Sequence, residues 1–267
     1  MVYLFDDKTQ IKINQLYLMH NWTKNLIYTT QDEGNPGRRG LLWSSSFIQA
    51  YYTCETLGAI DWQSTLRDSR LEAWAKDAVE SINPPKAIKA MLHFCYDLLG
   101  PEAPRRFDDL FKEELKGLDN PVAILMDIPT DTYYFQEQQN FRQRYEQIMN
   151  CNSLSPDEHL DLVFRMARFV YSVRENLFHG YTLAVMVSEN LSLQKRLLIY
   201  TGLLIAICEL LFITLEQKTN WHPEITRFDR SQYDYYLEAL AASKLRHKGR
   251  INILQHLHDR KNETTPD

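Results

Sequence analysis

Two residues in the second half of the chain combine a permanent positive charge with a titratable ring. Arg174 falls on an apolar stripe with helical spacing, one turn after Val170 and one turn before Phe178. The stripe consists of Leu160, Val163, Phe164, Ala167, Val170, Tyr171, Leu177 and Phe178. A guanidinium on a buried face is costly unless it is paired or lines a polar cavity. His179 follows, and Gly180 is a residue type that commonly closes a helix. The sequence therefore predicts a cation and an imidazole at the C-terminal end of one helix.

The spacing of these two residues restricts how they act together. Five residues of an α-helix turn through about 500°, so the side chains of Arg174 and His179 point roughly 140° apart, about 7.5 Å along the axis. One continuous helix does not aim both at one small target. Either the helix breaks at Gly180, or a second copy of the chain completes the site. Two such helices paired about a two-fold axis would bring two Arg/His sets to one cleft.

The run from Arg174 to His179 resembles the Arg-x4–6-His signature of the HEPN family, the "higher eukaryotes and prokaryotes nucleotide-binding" helical domains. The Leu-Phe-His-Gly ending at Gly180 is also typical of that family. The helical pattern extends the resemblance over residues 41–218. It implies an all-α bundle, a homodimer and, in many members, RNA cleavage without a metal by toxins or phage-defence proteins. This chain departs from the family at the position after the arginine, which is often Asn, Asp or His in the family and is Glu175 here, with Asn176 next.

The resemblance implies a specific chemistry, in which the ribose 2′-hydroxyl attacks the adjacent phosphate. His179 suits the proton transfer because the unperturbed pKa of histidine is about 6.5. Arg174 offers a fixed, two-pronged positive charge to the phosphorane. Glu175 and Asn176 are expected to orient these two groups. The products would be a 2′,3′-cyclic phosphate and a 5′-hydroxyl, with no metal and no other cofactor.

We therefore expect a metal-independent endoribonuclease that acts as a toxin or anti-phage effector. Its expected partners are RNA, a second copy of the chain, and an antitoxin or other regulatory protein. The first alternative is a catalytically inactive HEPN module that binds a nucleotide or a protein. The second is a helical scaffold or membrane-associated protein, in which Arg174 pairs with Glu209 or another internal acid and His179 caps a helix.

A separate basic cluster near the C-terminus is the candidate RNA-binding surface. It comprises Lys244, Arg246, Lys248 and Arg250, together with His247. Such a cluster can hold an RNA backbone electrostatically, although cations are equally favoured at the C-terminal turn of a solvated helix. Aromatic residues near Tyr134 and Tyr235 are further candidates for base stacking, with packing as the alternative.

Composition favours a globular, cytoplasmic protein. The chain has 267 residues, 44% of them hydrophobic, and a net charge of −5, so RNA contacts must come from local patches. The four cysteines, Cys54, Cys95, Cys151 and Cys208, lack metal-site spacing and are interpreted as buried free thiols. The first seven residues lack the basic and apolar regions of a signal peptide.

The periodicity predicts an all-α, HEPN-like helical bundle with extra N- and C-terminal helical segments. We expect an N-terminal extension over residues 1–40, a HEPN-like domain over residues 41–217 and a C-terminal extension over residues 218–267, together forming one compact unit. The predicted helices cover residues 42–60, 62–81, 85–99, 107–118, 132–149 and 193–215, with the motif helix starting at Ser155. Residues 31–40 are predicted to be a loop, and residues 121–129 to be irregular.

The last of these helices is unusually apolar. Residues 197–215 are nearly long enough to span a bilayer, and Glu209 is their only acid. Lysine and arginine residues flank both ends, so no orientation signal emerges. We expect a central core helix packed against the motif helix, and no membrane partner.

Overall fold

The computed structural model describes residues 4–5, 7–31, 33–60, 84–127, 135–150, 154–178 and 191–223, and within these residues the fold is all-α. The helices are α1 (Asp7–Thr29), α2 (Pro36–Gly58), α3 (Pro84–Leu99), α4 (Ala103–Glu114), α5 (Pro121–Met126), α6 (Phe135–Asn150), α7 (Pro156–Phe178) and α8 (Leu191–Lys218). A short 3-10 turn, Gly100–Glu102, joins α3 to α4. All of these residues belong to one compact unit, Met1–Pro223. The predicted helix over residues 62–81 and nearly all of residues 218–267 lie outside the described residues.

Helix α8 is the centre of the bundle. It packs chiefly against α2 and α4, and then against α3. Residues on every side of it are buried, from Gln194 at its start to Leu215 near its end. In the described part of the chain it is the one helix long and apolar enough to cross a membrane, but 89% of its apolar window is buried inside the protein. Its hydrophobicity is therefore explained by its central position in the bundle.

The motif helix α7 and the central helix α8 both contact α3 but contact each other little. Helix α7 packs against α3 and α6, and Leu160, Val163, Ala167 and Val170 of the predicted stripe are buried. Its contact with α8 is small and includes the rings of Phe169 and Tyr200, whose centroids are 5.5 Å apart. The prediction of an apolar face on α7 is confirmed, whereas the predicted packing against α8 is confined to this small contact.

The start of α7 is held by polar contacts that its sequence supplies. Ser155 and Glu158 cap each other, because the Ser155 Oγ accepts from the Glu158 amide and the Glu158 carboxylate accepts from the Ser155 amide at 2.9 Å. One turn further on, buried His159 links two other helices. The Tyr96 hydroxyl of α3 lies 2.6 Å from His159 Nδ1, and Asp108 Oδ1 of α4 lies 2.9 Å from Nε2. These contacts fix the end of α7 opposite to the motif.

Two boundary predictions are wrong for the same physical reason. Residues 36–40, predicted to be a loop, form the first turns of α2, because the Asn35 side chain accepts from the Arg38 amide at 2.9 Å and Pro36 occupies the first position. Residues 121–126, predicted to be irregular, form α5, because Asn120 caps Ala123 in the same way. In both segments an Asn-Pro pair begins a helix.

Helix α6 contributes to the core despite its polar composition. Its Phe141, Tyr145 and Ile148 are buried, and Phe141 packs against Phe169 with ring centroids 5.3 Å apart. The N-terminal segment likewise contributes to the core: α1 packs along α2, and Ile13 is fully buried. The polar composition of α6 thus conceals a narrow apolar face that covers the motif helix.

Candidate functional site

The guanidinium of Arg174 lies against two tyrosines of α2. Its Cζ is 5.4 Å from the ring centroid of Tyr51 and 5.7 Å from that of Tyr52. A cation at this distance is attracted by the negative face of an aromatic ring. Tyr51 is fully buried, and its ring also packs against that of Tyr171 on α7 at 6.1 Å. The aromatic residues therefore provide a rigid support for the arginine.

Polar contacts set the direction of the same guanidinium. Arg174 Nη1 is ion-paired with Glu175 Oε1, and Nη2 donates to the Tyr52 hydroxyl at 3.5 Å. The Arg174 side chain remains 21% exposed, and that of Glu175 remains 35% exposed. The group is thus oriented but still reaches the surface. The ion pair places Glu175 in contact with the group that it is predicted to orient.

The surroundings of Arg174 raise the pKa values of two side chains, Arg174 itself and Glu55. Burial is the largest influence on the pKa of Arg174 and acts to lower it, but the hydrogen bonds with Tyr52 and Glu175 outweigh it, so the pKa is raised. Burial raises the pKa of Glu55, one turn after Tyr51; the Glu175 charge adds to this and the Arg174 charge opposes it. The arginine is therefore permanently charged, and the pair Glu55 and Glu175 places two carboxyl groups in its field.

The other predicted site residues are only partly described. Residue His179 lies immediately after the end of α7 and outside the described residues, as do Lys244, Arg246, Lys248 and Arg250. Asn176 lies in α7, but the described side chains of this helix end at Glu175. The candidate stacking residues Tyr134 and Tyr235 also lie outside the described part of the chain. The described part of the candidate site therefore consists of Arg174, Glu175 and the residues that contact them.

Glu209, the internal acid considered as a partner for Arg174, contacts other residues instead. Glu209 on α8 is ion-paired with Lys24 of α1 and lies 3.5 Å from His20 Nε2. Lys24 also pairs with Glu114 of α4, with Nζ and Oε1 2.8 Å apart. These four residues form an internal charge network that is separate from Arg174. Glu209 is therefore not the partner of Arg174.

Sequence reasoning missed the α2 side of the site. The sequence pattern singles out neither Tyr52 nor Glu55 as a candidate site residue. Only side-chain contacts between α7 and α2 bring these residues to Arg174, and their helical spacing gives no sign of it. The three cysteines that the structure describes, Cys54, Cys95 and Cys208, are buried free thiols. Among the described residues, no group of three His, Cys, Asp or Glu residues could hold a metal.

Comparisons of the chain with models of known protein families, with curated proteins and with solved structures found no match. The HEPN resemblance therefore rests on the motif from Arg174 to His179 and on the helical pattern around it.

Proposed function

We propose that this protein is a metal-independent endoribonuclease of the HEPN type, working as a homodimer. In this proposal Arg174 stabilises the negative charge of the phosphorane, and His179 transfers the proton of the attacking or leaving oxygen. With this activity the protein would act as a toxin or anti-phage effector. An antitoxin or other regulatory protein would control it.

The observation that supports the proposal most strongly is the placement of Arg174. The guanidinium rests on tyrosine rings at 5.4 and 5.7 Å, is ion-paired with Glu175 and keeps 21% of its side chain exposed. A guanidinium that is fixed in direction and partly exposed suits the planar, two-pronged recognition of a phosphate. Because its support comes from two helices, little reorganisation is needed when the substrate arrives.

The length of α7 supports the proposal that the protein works as a homodimer. The helix continues through Phe178, so residue 179 is the next along the chain. With the five-residue spacing, a second protomer offers the simplest way to bring an imidazole to each guanidinium. The proposal therefore includes the homodimer as a requirement for full activity.

The chemistry is tested with purified protein and single-stranded RNA in the presence of EDTA. We expect cleavage that EDTA does not inhibit, and products that carry a 2′,3′-cyclic phosphate and a 5′-hydroxyl. His179→Ala should lower the rate by about 100-fold or more, as expected for loss of a general acid or base. Arg168→Ala is the matched control, because Arg168 is an exposed arginine of the same helix. Loss of cleavage with EDTA, or 3′-hydroxyl products, would overturn the mechanism.

The ion pair between Arg174 and Glu175 favours a second candidate, the catalytically inactive HEPN module. In that case the Glu175 carboxylate occupies the Nη1 atom that a phosphate would otherwise contact. The substitution Glu175→Gln separates the two functions. If Glu175 orients a catalytic arginine, Glu175→Gln slows RNA cleavage; if Glu175 blocks a binding arginine, the variant binds RNA more tightly and the unaltered protein does not cleave it.

A further inference from the structure

Two adjacent tyrosines support Arg174, but their environments differ sharply. Tyr51 has no exposed surface, whereas Tyr52 keeps 39% of its surface exposed and is among the large exposed hydrophobic residues of the described chain. Their rings meet edge to face, with centroids 6.2 Å apart. Tyr51 therefore acts as the inner support, and Tyr52 presents an aromatic surface beside the guanidinium.

Tyr52 is tied to Arg174 through both its ring and its hydroxyl. The guanidinium carbon lies 5.7 Å from the Tyr52 ring centroid, and Nη2 donates to the Tyr52 hydroxyl at 3.5 Å. A group that stacks on Tyr52 is therefore held directly next to the fixed positive charge. A nucleotide meets both requirements, because its base has a π face and its phosphate carries the complementary charge.

We infer that Tyr52 stacks on an unpaired base next to the scissile phosphate, so that the substrate is single-stranded RNA; this deepens the proposed endoribonuclease function and rests on it. Within an A-form duplex each base is covered by its neighbours, and side chains reach mainly the backbone and the shallow groove. Only an unpaired nucleotide offers a base face to Tyr52 while its phosphate reaches Arg174. Stacking is tolerant of base identity, so the preference is for strandedness and not for one base.

The test uses Tyr52→Ala, Tyr52→Leu and Tyr52→Phe, with Tyr28→Ala as the matched control. Tyr28 is a tyrosine of α1 that is 77% exposed and lies outside the site. Tyr52→Leu keeps an apolar side chain and guards against loss of folding in the alanine variant. Each protein is first checked for folding by circular dichroism. The probes are a mixed-sequence single-stranded RNA that contains 2-aminopurine, its non-cleavable 2′-O-methyl form, and a blunt duplex of the same sequence.

We expect the unaltered protein, Tyr52→Phe and Tyr28→Ala to quench 2-aminopurine fluorescence of the non-cleavable RNA. Tyr52→Ala and Tyr52→Leu should bind it about fivefold to 150-fold more weakly and without the quench, which is the range that base–aromatic stacking covers. In cleavage, the same two variants should raise KM more than they lower kcat. The duplex should be cleaved at least tenfold more slowly than the single strand.

The outcomes distinguish this inference from the proposed function. Cleavage by the unaltered protein with no effect of Tyr52→Ala or Tyr52→Leu, or equal cleavage of duplex and single strand, overturns the inference and leaves the nuclease in place. Tyr52-dependent quenching without cleavage supports the stacking site and overturns the nuclease. A protein that neither quenches nor cleaves single-stranded RNA overturns both.

Discussion

Two regions of the bundle hold a buried or half-buried cation, and they hold it in opposite ways. Lys24 lies between the carboxylates of Glu114 and Glu209, with His20 beside the second carboxylate. Arg174 lies on the rings of Tyr51 and Tyr52, is ion-paired with Glu175 and has Glu55 nearby. The first arrangement joins α1, α4 and α8, and the second lies between α2 and α7; both cations keep part of their side chains exposed, 32% for Lys24 and 21% for Arg174.

The difference between Lys24 and Arg174 suggests how a charged side chain that stabilises this fold differs from one that contacts a ligand. A cation enclosed by carboxylates has its field cancelled, and its partners depend on it for their own burial. Aromatic rings attract a cation without neutralising it, so the charge of Arg174 is offset only by its carboxylate neighbours. We therefore propose that Lys24 serves stability and that Arg174 contacts a ligand. Each of the following substitutions tests that assignment.

The largest expected effect on stability is that of Glu209→Ala. It leaves Lys24 with a single carboxylate and removes the carboxylate that lies 3.5 Å from His20 Nε2, at the contact of three helices. We expect the free energy of unfolding in urea to fall by about 2–3 kcal/mol, somewhat less than for a fully buried pair. Glu175→Ala is the matched control and should cost less than about 1 kcal/mol, because its ion pair joins adjacent residues of one helix and connects no other helix. Equal losses in the two variants would remove the distinction between the regions.

A smaller effect is expected from the pH dependence of His20. Burial lowers the pKa of His20, although the hydrogen bond with Glu209 opposes the shift. The unfolded chain therefore binds a proton at His20 more readily than the folded protein does, so stability falls as pH drops below about 6.5. We expect His20→Gln to flatten the slope of unfolding free energy against pH between about 5 and 7. The exposed His222 provides the control, since His222→Gln should leave that slope unchanged.

The smallest expected effect concerns Glu55 beside Arg174. Removing its negative charge with Glu55→Gln should tighten binding of non-cleavable RNA by about threefold, as expected for a partly exposed charge pair. Because burial raises the pKa of Glu55, the unaltered protein should approach the affinity of this variant as the pH is lowered through that pKa. Fluorescence anisotropy at several pH values measures both effects. The control Glu216→Gln, at an exposed position on α8, should change neither the RNA affinity nor its pH dependence. A similar gain in affinity from Glu216→Gln would mean that net charge alone explains the effect of Glu55→Gln.

Much of the fold follows from local signals in the sequence. The reciprocal cap of Ser155 and Glu158 marks the start of α7, and the apolar spacing from Leu160 to Val170 defines its buried face. The apolar run of α8 is explained by its central position. The sequence reasoning failed at Asn35, where glycine and proline density suggested a loop, and at Asn120, where a short apolar segment suggested irregular structure. Each Asn-Pro pair caps a helix instead.

The candidate site was only half predictable. Arg174 stands out because a guanidinium interrupts an apolar stripe, which is a property of one helix. Tyr52 and Glu55 are ordinary residues of α2 until α7 packs beside them, and that contact joins positions 122 residues apart. The network of His20, Lys24, Glu114 and Glu209 was missed for the same reason, because it is assembled from three helices that are distant in sequence.

The measurement that tests the central assignment most directly is the rate at which Arg174→Ala cleaves single-stranded RNA at equal folded concentration. The account predicts a fall of about 100-fold to 1000-fold, the range for loss of a charge that stabilises a transition state, with an unfolding free energy within about 1 kcal/mol of the unaltered protein. A cleavage rate within about threefold of the unaltered protein and of Arg168→Ala would contradict it, because Arg174 would then serve the fold alone.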